Sequence, residues 1–363
     1  MRLAVIGLLL CVPLPPDLPT PKQKFEELLE RYGASTKSYV NSPRSKLASA
    51  EFLKLAREHP EDPAALDALA WVASHSLFDS EAEQAMGLLA RDHVKSERLG
   101  PILREIDKLY GDPFGPMERL FRAALRDSPH REIRGWACLA LARYLVSVKE
   151  KSERDLQQHS LFLKGEHVPF VPEPKLKGPE LEKLIDEAAS LYERVIKEYE
   201  DIGKLGEAAR TDLFELRNVT VGKVALEIEG EDVDGVRFKL SDNRGKVVVL
   251  TFSGNWCGPC RAMYPHERGL VARLKDRPFA VLSVNTDEDK GTLRKSIGAG
   301  EITWRCWWEG GIEGPICSKW NVSSFPAVYV IDRDGVIRYK NIQGRLLDEA
   351  VDTLLEVMKA AKP

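Results

Sequence analysis

The chain has 363 residues, 43% of them hydrophobic, enough to build a sizeable core in each of two domains. Its 53 basic residues nearly balance 56 acidic ones, a net charge of −3, so the charge gives no reason to expect nucleic acid or an anionic membrane surface as a partner. Six cysteines are too few to staple a chain of this length, and only one pair is tightly spaced, which favours a redox site over a disulfide scaffold.

Met1-Arg2 followed by the apolar run Leu3 to Val12 has the charged start and short apolar core of a signal peptide. The run is too short to span a bilayer as a mature helix. No Ala-x-Ala cleavage site follows it, and Leu10 precedes Cys11 where a lipoprotein signal would have a small residue. An exported chain, periplasmic or membrane-associated, is the reading favoured, and a cytoplasmic one the alternative. Pro13 to Pro21 holds five prolines in nine residues and cannot continue a helix, so residues 1–21 read as a signal-like segment and tether.

Residues 22–218 are expected to be all-α. From Phe25 to about Arg217 apolar residues recur at helical spacing in a composition rich in Ala, Leu, Glu and Arg, with almost no strand signal. Leu55-Ala56-Arg57-Glu58-His59 returns as Leu89-Ala90-Arg91-Asp92-His93 and as Ala124-Leu125-Arg126-Asp127-Ser128, at steps of 34 and 35 residues. That is the tetratricopeptide period, although the Trp, Gly and Tyr markers of that repeat are incomplete, so the region resembles such repeats weakly. Turns are expected at His59 to Pro63 and at Ser128 to His130. A fourth echo, Tyr192 to Tyr199, follows a Pro- and Lys-rich interruption from Gly165 to Pro179. Such an array either presents a face to a partner protein or simply packs on itself and its neighbour. His59, His75, His93 and His130 lack metal-ligand spacing, and Cys138 sits in an apolar helical run as a buried residue.

Residues 219–363 change pattern. Val224 to Ile228, Val236 to Leu240, Lys246 to Phe252, Phe279 to Val284, Ala327 to Ile331 and Val336 to Tyr339 read as strands. Cys260 to Lys275, Glu288 to Ile297 and Leu346 to Lys359 read as helices between and after them, the alternation of a sheet covered on both faces. Asp332-Arg333-Asp334-Gly335 has hairpin-turn composition. The most apolar strand runs into Trp256-Cys257-Gly258-Pro259-Cys260 and then straight into a helix. Cysteines three apart on a first helical turn face the same way and can close a disulfide. Free N–H groups and the helix dipole at that end favour a thiolate, so Cys257 is expected to be the nucleophile, with a lowered pKa. Pro259 suits a first turn, where its missing N–H has no partner to lose. Cys260, one turn further in, is expected to resolve the mixed disulfide.

From about Gly222 onward the chain resembles the thioredoxin superfamily, and within it the TlpA/ResA-like thiol-disulfide oxidoreductases. The resemblance is carried by Trp256 to Cys260, by the lead-in Gly245 to Leu250, by Tyr264-Pro265 in the first helix and by the hairpin Asp332 to Gly335. It implies a thioredoxin fold, with a mixed central sheet and helices on both faces, following the N-terminal all-α helical-repeat region. It also implies a cis bond at Phe325-Pro326 facing the cysteines, with Trp256, Gly258, Pro259, Phe325 and Pro326 contacting substrate. No cofactor beyond the redox-active Cys257–Cys260 pair is expected, and no metal. The expected partners are protein disulfides and a membrane or thioredoxin-type electron donor. Family members place a buried acid six residues before the first cysteine or three after the second; here those positions hold Thr251 and Met263. His266, Glu267 or a bound water remain as proton acceptors.

Zinc binding by the CxxC pair would need a second ligand pair, and Cys306 with Cys317 is spaced too widely. A peroxidase would carry a Pro-x-x-x-Thr-x-x-Cys loop, absent before Cys257. A protein-binding adaptor with a weakly active thioredoxin-like platform is the remaining alternative. Cys306 and Cys317 either form a second disulfide or stand as isolated half-buried thiols. Trp304, Trp307, Trp308 and Trp320 either wall a substrate groove or fill the core. The Gly258-Pro259 dipeptide resembles that of reducing members, so the activity expected is reduction of disulfides in exported proteins.

Overall fold

The computed structural model describes residues 19–33, 43–76, 80–106, 115–163, 176 and 178–360. The signal-like segment, most of the proline tether, Cys11 and most of the Gly165–Pro179 interruption lie outside the described residues. The chain falls into two compact units divided between Val148 and Lys149.

The first unit is helical. It contains α1 (Pro21–Tyr32), α2 (Pro43–Glu58), α3 (Pro63–His75), α4 (Ser80–Asp92), α5 (Leu99–Ile106), α6 (Pro116–Asp127) and the first half of α7 (Arg131–Leu163). Thr20 and Gln23 close a capping box at the start of α1, and the Asp62 carboxylate caps α3 by accepting from Ala64 N at 2.8 Å. Both expected turns fall between helices, α2 to α3 and α6 to α7. The recurring Leu-Ala-Arg segment occupies the last turn of α2, α4 and α6 in the same way. Its first residue (Leu55, Leu89, Ala124) is buried, while its arginine (Arg57, Arg91, Arg126) is exposed. In the second unit Tyr192 to Tyr199 closes α8 (Pro179–Glu198), which packs on α9 (Leu205–Asn218). Cys138 is buried in α7 as expected.

Helical structure stops at Asn218, where the sequence places the change of pattern. The rest of the second unit is a mixed sheet of five strands with order β5-β4-β3-β6-β7 and a separate antiparallel hairpin, β1 (Glu229–Glu231) with β2 (Arg237–Lys239). Central β3 (Val247–Ser253) runs parallel to β4 (Phe279–Asn285), which is parallel to β5 (Arg305–Trp308). On its other side β3 pairs antiparallel with β6 (Ala327–Ile331), and β6 with β7 (Ile337–Lys340). The helices are α10 (Gly258–Arg273), α11 (Lys290–Gly298), α12 (Pro315–Trp320) and α13 (Arg345–Ala360). This is the thioredoxin-like arrangement expected. One strand is corrected: Val224 to Ile228 forms only a single bridge, Val224 to Val336, and pairing with β2 begins at Glu229. Ala225 and Ile228 are buried there, so their apolar character serves packing and not a ladder.

Strand alternation divides the core in two. Val247 and Val249 face α10, α11 and α13, packing with Leu270, Leu293, Leu347 and Val351. Val248, Leu250 and Phe252 face α12 and the segment that precedes the sheet, against Trp307, Trp320, Phe238 and Val219. Trp307 and Trp320 are fully buried and Trp304 nearly so, with Trp307 stacked on Phe238 at 4.1 Å. Of the four tryptophans weighed as groove walls, these three fill the core. Cys306 and Cys317 are both free, buried, and on opposite faces of the sheet, so no second disulfide joins them.

Candidate active site

The site lies at the carboxyl end of β3, where the chain leaves Ser253 and re-enters a helix at Gly258. Cys257 is the N-cap of α10, with extended backbone, and Gly258 and Pro259 open the first turn. Cys257 Sγ accepts a hydrogen bond from Cys260 N at 3.2 Å. A sulfur held against the first N–H groups of a helix is where negative charge is stabilised, the basis for a nucleophilic thiolate. Cys257 and Cys260 are joined as a disulfide, their Cα atoms 5.2 Å apart. Cys260 is the more enclosed, 1% exposed against 4% for Cys257.

The approach to the motif is pinned to the end of β4, by residues that sequence patterning did not single out. The buried Asp287 carboxylate accepts from Asn255 N at 2.6 Å, from Asn255 Nδ2 at 2.7 Å and from Asn285 Nδ2 at 2.9 Å. Asn255 Oδ1 in turn accepts from Ser296 Oγ at 3.0 Å. Trp256 Nε1 donates to Thr286 Oγ1 at 3.1 Å. Gly254 permits this: a Cβ there would lie 2.3 Å from Trp256 Nε1.

Phe325-Pro326 is cis and immediately precedes β6. The half-exposed Trp256 meets the Phe325 ring edge-on, with centroids 5.3 Å apart. Trp256, Gly258 and Pro259 thus belong to the motif itself, and Phe325 is brought to it from the loop before β6. Trp308 stands on the rim, donating from Nε1 to Asp287 O at 2.9 Å.

Beneath the motif the α10 face of the sheet turns polar. Thr251 Oγ1 and Ser283 Oγ are 2.8 Å apart, and Trp304 Nε1 donates to Ser283 Oγ at 2.5 Å. Glu267 of α10 is 2% exposed and lies near the Thr251 hydroxyl. Burial pushes that carboxyl from the ordinary 4.5 up to about 7, the hydroxyl only partly opposing the rise. His266, the neighbouring alternative, points elsewhere: its Nε2 is 3.0 Å from Asp348 Oδ1 on α13. Burial also pushes the Cys306 and Cys317 thiols up, so neither competes as a thiolate at neutral pH. Among the described residues no cluster of His, Cys, Asp and Glu could hold a metal ion.

Residues 221–340 match the model of the AhpC/TSA family. The chain is similar to the thiol-disulfide oxidoreductase ResA of Geobacillus kaustophilus, 29% identical over 44% of this chain and 90% of that protein. It is also similar to ResA of Bacillus subtilis, 23% identical over 39% of this chain and 78% of that one. Among solved structures, the thioredoxin domain of a thiol-disulfide oxidoreductase from Bacteroides vulgatus is 26% identical, with a TM-score of 0.35, covering 38% of this chain and 98% of that chain.

Proposed function

We propose that this chain is a thiol-disulfide oxidoreductase that works as a reductase of disulfides in exported proteins. The observation that carries the reading is the Cys257 sulfur at the N-cap of α10, accepting from Cys260 N and bonded to the more enclosed Cys260. In the reduced protein the Cys257 thiolate attacks a substrate disulfide, one substrate sulfur leaves as a thiolate, and a mixed disulfide forms. Cys260 then attacks Cys257 Sγ and releases the second substrate sulfur, leaving the pair oxidised as it stands here. Cys257 and Cys260 are the catalytic residues; Trp256, Gly258, Pro259, Phe325 and Pro326 form the substrate-facing surface. The redox-active disulfide Cys257–Cys260 serves as the redox group.

Recharging this pair requires an electron donor, for which a membrane or thioredoxin-type dithiol is the fitting chemistry. Among the described residues no helix is long and apolar enough to cross a membrane. The signal-like start of the sequence supports export to a periplasmic or membrane-associated setting. The helical region, with its repeated segment at equivalent helix ends, supplies a surface for a protein partner. Residues 219–363 form the thioredoxin-like domain and 22–218 the helical one, a boundary supported by the end of α9 at Asn218.

Replacing Cys260 by Ser is expected to trap substrate as a mixed disulfide on Cys257, visible as a band lost on reduction. Replacing Cys257 by Ser is expected to abolish exchange with oxidised glutathione. A Cys257→Ser chain that still reduces disulfides at the wild-type rate overturns the reading.

A further inference from the structure

The loop that brings Phe325 to Trp256 has firm ends and a loosely held middle. It starts at Trp320, the last residue of α12, which is fully buried with its ring 5.1 Å from Tyr329 and 5.6 Å from Phe252. Asn321 follows in the left-handed region at φ 53°, a conformation Asn tolerates better than most residues, and turns the chain out of the helix. The loop ends at Ala327, paired with Phe252 on β3. Between these points Ser323 and Ser324 are exposed, and among the described residues the amides of Ser323, Ser324 and Phe325 donate to no partner. The position of Phe325 therefore depends on how the two ends are held.

A single carboxylate from outside the sheet reaches both ends. Glu215, in the last turn of α9, accepts from Asn321 Nδ2 at 2.9 Å with Oε2 and pairs with Lys340 of β7 through Oε1. The Lys340 side chain is only 12% exposed, and its Nζ lies 5.7 Å from the ring centre of Tyr329, on the strand that follows the loop. A carboxylate with a cation on one oxygen and an amide donor on the other is fixed in orientation, and such charge-assisted bonds are stronger than neutral ones. The Lys340 partner thus aims Glu215 at Asn321, and the amide of Asn321 is tied to the same carboxylate as the strands beyond the loop.

We propose that Glu215 is a positioning residue for the substrate-facing surface: from α9 it ties together the two ends of the loop from Asn321 to Pro326 and so sets where Phe325 stands beside Trp256. The inference rests on the oxidoreductase reading above and deepens it, giving the helix that precedes the thioredoxin-like fold a part in substrate recognition. Glu215 acts on the loop and not on the sulfurs. Its influence therefore depends on the size of the substrate. A polypeptide disulfide lies across the aromatic pair of half-exposed Trp256 and Phe325, and its fit depends on the loop. A small disulfide needs only to reach Cys257, and the loop adds little to its reaction.

The test is stopped-flow reaction of the reduced full-length chain with insulin and, separately, with oxidised glutathione, followed by the tryptophan fluorescence of the chain. The wild type is expected to react faster with insulin, whose polypeptide reaches the loop. Glu215→Ala is expected to slow the insulin reaction about 10-fold at low insulin, through weaker binding with the saturated rate unchanged, and to leave the glutathione reaction as it was. Asn321→Gly keeps the left-handed turn while removing the amide that Glu215 holds. It is expected to show the same split, which keeps the test decisive if Glu215→Ala folds poorly. Glu215→Gln, whose amide oxygen still accepts from Asn321, should recover part of the insulin rate. Wild-type insulin rates in both Glu215→Ala and Asn321→Gly overturn the positioning role alone. An equal fall with both disulfides, or a wild-type chain no faster with insulin than with glutathione, overturns it too. A wild-type chain that reacts with neither disulfide overturns the oxidoreductase reading and this role with it.

Discussion

At the scale of single residues, two buried carboxyls have opposite surroundings. Asp287 is buried but surrounded by N–H donors, and it fixes the loop that presents Trp256 and Cys257. Glu267 is buried among apolar and weakly polar groups, and its proton is held up to about 7. Folded protein therefore keeps a proton that the unfolded chain has already released between about 4.5 and 7. Stability from this residue is present at the low end of that window, falls as the pH rises through it, and levels off above. Glu267→Gln, which cannot ionise, is expected to gain on the wild type by on the order of 3 kcal/mol between pH 4.5 and 8. Urea denaturation at the two pH values checks this, and parallel stability curves for the two chains would contradict it. The sequence offered Glu267 and His266 as equal alternatives, because adjacent residues on a helix carry no label for which one faces the core. The fold separates them: Glu267 is buried, while His266 Nε2 lies 3.0 Å from Asp348 Oδ1 on α13.

At the scale of elements, the link between helix and sheet is short and well fastened. Glu215 of α9 pairs with Lys340 of β7 and accepts from Asn321 Nδ2 at 2.9 Å, while Val219, just past the helix, is fully buried against the sheet. A fragment beginning at Thr220 is expected to fold and retain thiol exchange, because both core clusters draw almost wholly on later residues. It should be less stable than a fragment beginning at Pro179, by about 2 kcal/mol, through the lost burial of Val219 and the lost partner of Lys340. Denaturant midpoints of the two fragments measure the difference. Strand and helix boundaries after Asn218 were legible wherever alternation or a β-branched run coincided with a ladder. One exception is Val224 to Ile228, where pairing does not extend beyond a single bridge into a ladder, a distinction that composition cannot carry.

At the scale of the whole molecule, the cysteines sort by environment and not by spacing. Cys257 and Cys260 are joined at a helix start, whereas Cys138, Cys306 and Cys317 are separately buried. Alkylation of the oxidised chain under denaturing conditions is therefore expected to label Cys138, Cys306 and Cys317 without reductant, and Cys257 and Cys260 only after reduction. Mass spectrometry of the peptides reads the result; protection of Cys306 and Cys317 in unreduced protein would contradict the arrangement across the sheet. Burial keeps the Cys306 and Cys317 thiols neutral, so neither offers a thiolate at neutral pH.

The amino-acid sequence by itself determined the two-part organisation, three helices and most strands of the second part, and the paired cysteines. Each of these rests on local information: hydrophobic period, turn composition, and a CxxC motif between an apolar strand and a helix. The tertiary structure decided what depends on meeting across distance. It placed Asp287 under a loop 32 residues earlier, brought Phe325 to Trp256, sent three of four tryptophans to the core, and set Cys306 and Cys317 on opposite faces. It also buried the Glu267 carboxyl two turns beyond Cys260. Burial of that kind exists only once β3 and α10 have packed together.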